Sequence, residues 1–65
     1  MRVTIYYRFK DGIVFSHTTT VSSLDDTVRV QKEVCNVMNE FDRIDIYEYE
    51  TGDVYRVWKD LVEKI

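Results

Sequence analysis

Two glycine-bearing turns, Lys10-Asp11-Gly12 and Glu50-Thr51-Gly52-Asp53, flank the only long stretch of helical periodicity, Leu24 to Phe41. Glycine accepts the left-handed backbone that tight hairpin turns demand, so the chain reads as hairpin, helix, hairpin. The whole 65 residues are expected to form one small α+β domain. A domain of this size buries only about 60% of the surface its unfolded form exposes, so nearly every apolar residue is needed for the core. Little is left to wall a pocket.

In the first hairpin Val3, Ile5, Tyr7 and Phe9 alternate with Arg2, Thr4, Tyr6, Arg8 and Lys10, the period of a strand with one buried face. A three-residue loop at Lys10-Asp11-Gly12 sets Phe9 opposite Ile13 and Tyr7 opposite Phe15. A two-residue loop would place Ile13 and Phe15 across from Lys10 and Arg8, so the hydrophobic pattern selects the longer one. The run Thr18-Thr19-Thr20 suits the edge of a sheet. Ser23, with Asp26 three residues on, resembles a capping box with a shortened acid, so the helix is expected from Leu24. On the helical wheel Leu24, Val28, Val30, Val34, Cys35, Val37, Met38 and Phe41 occupy one half, which is expected to face the sheet.

In the second hairpin, Ile44 to Tyr49 and Val54 to Trp58, both faces carry apolar groups. Pairing Tyr49 with Val54 puts Ile44, Ile46, Tyr55 and Val57 on one face, and Tyr47, Tyr49, Val54, Arg56 and Trp58 on the other. Branched aliphatics have no hydroxyl to satisfy, so their face is assigned to the helix. Leu61, Val62 and Ile65 sit at helical spacing, and Lys59 to Ile65 is expected to form a short C-terminal helical turn. Two sheets fit this order, a β-grasp with first and last strands parallel at its centre or a fully antiparallel one; the predicted architecture is ββαββ, a β-grasp-like four-stranded sheet with one helix across one face. In element order and length it resembles the small bacterial immunoglobulin-binding β-grasp domains, but no shared motif carries their function over.

The net charge is −3, and residues 33 to 65 hold four Lys/Arg against nine Asp/Glu. Six carboxylates, Glu40, Asp42, Asp45, Glu48, Glu50 and Asp53, fall in one segment with Arg43 as its only base, and are expected as an acidic surface. That field repels phosphate backbones, so nucleic acid is disfavoured as a partner. No membrane span or signal-type apolar run is present, and a soluble cytoplasmic protein is expected.

Chemistry-bearing residues are sparse. His17, the only histidine, has no sequence-local partner and reads as an edge-strand residue. Cys35 reads as a small core hydrophobe far from the helix start, where no positive field would activate it. Asp25 and Asp26 answer the helix N-terminus, while Glu48 and Glu50 read as a solvated strand edge. No catalytic residue, metal ligand or cofactor is assigned. The constellation that stands out is the face away from the helix: Arg2, Tyr6, Arg8, Tyr47, Tyr49, Arg56 and Trp58. These are the residue types that concentrate binding energy at interfaces.

The expected function is therefore a non-enzymatic protein-interaction module, a regulator or inhibitor, that docks through this face or through an edge strand, or pairs with itself as a homodimer. Two alternatives follow from the same residues: an acidic nucleic-acid mimic of the kind made by phages and mobile elements, and a single-stranded nucleic-acid binder stacking bases on the tyrosines and Trp58.

Overall fold

In the computed structural model, which describes residues 1–59 and 61–65, β1 (Arg2–Phe9) and β2 (Val14–Thr20) form the first hairpin. The register is the expected one, Tyr7 opposite Phe15 and Arg8 opposite Val14. The Phe9 amide donates to the Ile13 carbonyl (2.8 Å), and Gly12, at φ +95°, makes the left-handed turn. Ser23 caps α1 (Leu24–Val37), its hydroxyl accepting from the Asp26 amide at 3.2 Å. Then come β3 (Phe41–Glu48), β4 (Val54–Trp58) and β5 (Leu61–Lys64).

The sheet has five strands in the order β2-β1-β3-β4-β5, and every neighbouring pair is antiparallel. As expected, β1 is interior and threonine-rich β2 is an edge. The β-grasp arrangement is corrected: β1 lies against β3, antiparallel, and not against β4 in parallel. The reason is the short link after the helix. The Met38 backbone turns extended, and Lys10 N–H donates to the Glu40 carbonyl at 2.9 Å, which ties the start of β3 to the end of β1. Being antiparallel to β1 on either side, β2 and β3 run parallel to each other, and a parallel crossover of this kind needs a helix to span it.

Three further expectations change. The helix stops at Val37, so Phe41 opens β3, where its ring packs on Phe9 (centroids 4.8 Å) and Tyr7 (5.6 Å). The C-terminal helical turn is replaced by β5: Lys59, at φ +54°, reverses the chain and Leu61 pairs with Trp58. In the second hairpin Tyr47, not Tyr49, faces Val54. That slip is two residues, and side chains alternate with period two, so both faces keep their expected members.

Val3, Ile5, Ile44, Ile46, Val57 and Cys35 form the core. Fully burying an aliphatic side chain stabilises by about 1.5–3 kcal/mol, so Ile44, Ile46, Val3 and Val57 are the main contributors. The helix presents a narrower arc than its apolar half. Thr27, Gln31 and Cys35 are buried, whereas Val37 is 80% exposed and Val30 is also exposed. Thr27 is accommodated locally, its Oγ1 donating to the Ser23 carbonyl at 2.8 Å, whereas Gln31 Oε1 is buried without a hydrogen-bond partner among the described residues. Because α1 packs on β3, β4 and β5, the helix side of β2 stays bare and a shallow cleft of about 490 Å³ opens between α1 and β2.

Candidate interaction face

The open side of the sheet is built by alternation. β1 contributes Arg2, Thr4, Tyr6 and Arg8, β3 contributes Arg43, Asp45 and Tyr47, and β4 contributes Val54, Arg56 and Trp58. Tyr6 stands beside Asp45, and Asp45 beside Arg56. The register therefore brings charges from three strands to one point.

That point is Asp45, only 6% exposed. Its Oδ2 accepts from Arg8 Nε at 3.2 Å and lies 3.4 Å from Arg43 Nε, while Oδ1 accepts from Arg56 Nε at 3.1 Å. A carboxylate removed from water is costly unless neutralised, and here three guanidinium groups surround it. Even with Glu63, which the β4–β5 register sets beside Arg56, two carboxylates do not balance three guanidinium groups, so the centre of the face carries excess positive charge although the chain as a whole is acidic. The three arginine side chains are part-exposed, Arg8 the most at 40%.

Aromatic rings surround this centre. Tyr6, Tyr49 and Trp58 are exposed, the last at 38%, and Tyr47 is half-buried. Tyr47 and Tyr49 meet edge-on with centroids 5.0 Å apart, and the Arg2 guanidinium lies 5.4 Å over the Tyr49 ring. Buried Thr4 donates to the Tyr49 hydroxyl at 2.9 Å, and its own hydroxyl is 2.9 Å from Thr18 Oγ1, so the tyrosine is held across the strands. Of the seven residues expected on this face, Arg2, Tyr6, Arg8, Tyr47, Arg56 and Trp58 share one side of the sheet by strand register, and Tyr49, just past the end of β3, joins them through Thr4, Tyr47 and Arg2. Arg43 completes the cluster, although in the sequence it stands as the single base of an acidic run. The alternation Arg43-Ile44-Asp45-Ile46-Tyr47 is the signal that would have found it.

The expected acidic surface is not continuous. Asp45 is enclosed among arginines on the open side, and Glu48 is buried at the opposite side, where its carboxylate closes the β3–β4 turn. Glu48 Oε1 accepts from the Glu50 amide (2.9 Å), and Oε2 accepts from the Thr51 amide (2.9 Å) and hydroxyl (2.6 Å). The Thr51 hydroxyl, followed by the Glu50 amide, holds the Glu48 carboxyl below its ordinary value of 4.5. Asp53 pairs with Lys64 at 3.4 Å, while Glu40, Asp42 and Glu50 are exposed. Glu48 and Glu50 therefore do not form a solvated strand edge. The backbone needed one of them as an internal acceptor.

His17 is exposed and lines the α1–β2 cleft with Ile5, Tyr7, Thr19, Val30 and Gln31. Burial pushes the Tyr7 hydroxyl upward, offset in part by its hydrogen bond with Gln31. Cys35 is buried, its sulfur accepting from the Lys59 amide at 3.2 Å. Among the described residues, no three His, Cys, Asp or Glu side chains are grouped to hold a metal ion, and no helix is long and apolar enough to cross a membrane. Compared with protein families, with curated proteins and with solved structures, the chain matches none.

Proposed function

We propose that this chain is a small non-catalytic interaction module whose open sheet face docks on an acidic surface of a partner protein. The observation that carries the reading is the convergence of Arg8, Arg43 and Arg56 on Asp45 within a ring of solvent-facing Tyr6, Tyr49 and Trp58. Asp45 fixes the guanidinium stems, so less side-chain freedom is lost when a partner binds, and the aromatic rings supply contact area around a charged centre. Both Asp45 oxygens are engaged by arginine, so this carboxylate serves to hold the guanidinium groups in place. The mimic alternative draws less support, because its line of carboxylates is interrupted at Asp45, Glu48 and Asp53.

Single-stranded nucleic acid is the second reading, favoured by one specific feature: Arg2, Arg8, Arg43 and Arg56 share a surface with stackable rings. Trp58 is the only tryptophan and lies on the face, so its fluorescence reports directly on occupancy. Titration with a Glu/Asp-rich peptide is expected to shift the signal in a salt-sensitive manner, and Arg56→Gln to weaken binding about tenfold. A response only to oligonucleotide would replace the first reading by the second. Silence toward both would remove both.

A further inference from the structure

The two edges of the sheet are unlike. β5 is four residues long and carries Glu63 and Lys64, which discourage pairing with another chain. β2 is seven residues, Val-Phe-Ser-His-Thr-Thr-Thr, with no lysine, arginine, carboxylate or proline and an uninterrupted register against β1. It lacks every device that usually protects an edge, and the helix does not cover it. Its exposed apolar groups crowd one end, with Val14 at 47% and Phe15 at 64%.

The hydrogen bonds at the two ends of the β1–β2 ladder fix which backbone groups are free. Phe9 bonds to Ile13 and Met1 to Val21, so in the antiparallel alternation the odd residues of β2 point their N–H and C=O groups at β1. The groups of Val14, Ser16, Thr18 and Thr20 therefore point away, along the open edge. From this edge we infer that β2 pairs with β2 of a second copy, antiparallel about a two-fold axis at His17. In that register Val14 faces the partner's Thr20, Phe15 the partner's Thr19 and Ser16 the partner's Thr18, and all seven residues are matched.

Two features favour a second copy over an unrelated strand. The large residues Val14 and Phe15 lie on one side of His17 and the threonines on the other, so the two-fold sets each large side chain against a small β-branched one, twice. The strand also carries no Lys, Arg, Asp or Glu to repel its own copy, although the chain carries −3. The product is one ten-stranded sheet in which both arginine-aromatic faces lie on the same side. This pairing does not depend on what that face binds.

The test is sedimentation velocity or light scattering across a concentration series, with two variants. Wild type is expected to show a concentration-dependent dimer below about 1 mM. Ser16→Pro removes only an outward N–H, which an edge strand tolerates, and is expected to weaken self-association more than tenfold while circular dichroism is unchanged. His17→Cys places two thiols at a non-hydrogen-bonded pair with Cα atoms about 4.5 Å apart, so mild oxidation is expected to give a covalent dimer linked 17 to 17. Phe15→Cys is expected to give none. A wild type that stays monomeric throughout the series overturns the inference. So does a dimer in which folded Ser16→Pro associates as well as wild type, or one in which His17→Cys fails to cross-link; should Ser16→Pro fail to fold, the cross-linking result decides.

Discussion

The centre of the open face and the β3–β4 turn each enclose a carboxylate, Asp45 and Glu48, only three residues apart on one strand, and they satisfy it by opposite means. Asp45 depends on charges delivered from β1 and β4 and on Arg43 of its own strand. Glu48 depends on the next three residues, through the Glu50 and Thr51 amides and the Thr51 hydroxyl. The difference is between tertiary neutralisation, which exists only once the sheet has assembled, and local chelation, which the turn can make by itself. Groups left behind by loss of Asp45 are crowded cations in a part-buried site. Groups left behind by loss of Glu48 belong to exposed turn residues that water can reach.

The largest expected effect follows from that contrast. Asp45→Ala leaves three guanidinium groups with no counter-ion and is expected to cost about 2–3 kcal/mol in urea unfolding, below the cost of a fully enclosed pair because the arginines are part-exposed. Within the turn, Gly52 sits at φ +75° with open space where a Cβ would stand, so Gly52→Ala meets backbone strain alone and is expected to cost about 1 kcal/mol. If the two substitutions cost the same, the distinction between tertiary and local support is lost.

The smallest effect at neutral pH is Glu48→Gln, and it shows in the pH profile. A carboxyl held below 4.5 in the folded state contributes stability that is present above that value and is lost as pH falls through the folded value. Glu48→Gln is therefore expected to flatten the acid limb of the thermal midpoint against pH. An unchanged limb would place the acid sensitivity elsewhere.

What was legible in the sequence divides along the same line. The first hairpin register could be read because Gly12 and the alternation of Tyr7, Phe9, Ile13 and Phe15 constrain each other within a few residues. The Ser23 cap was legible for the same reason. The neighbour of β1 was not, since the same hairpin, helix and hairpin serve either a parallel or an antiparallel centre, and the choice falls to the short link between Val37 and Phe41. The buried arc of α1 was only half visible. Periodicity weighs Val30 and Val37 as core, but the helix lies over β3 to β5, and Thr27 and Gln31 take the sheet-facing positions. The open face was legible by parity, whereas its charge centre required knowing that β1 and β4 flank β3.

The two-residue offset of the second hairpin bears on how its strands can pair. A ladder shifted by two residues closes again with Ile44, Ile46 and Val57 still inward, whereas a shift by one would turn the strand inside out. The core thus accepts re-pairing of this hairpin in steps of two residues only.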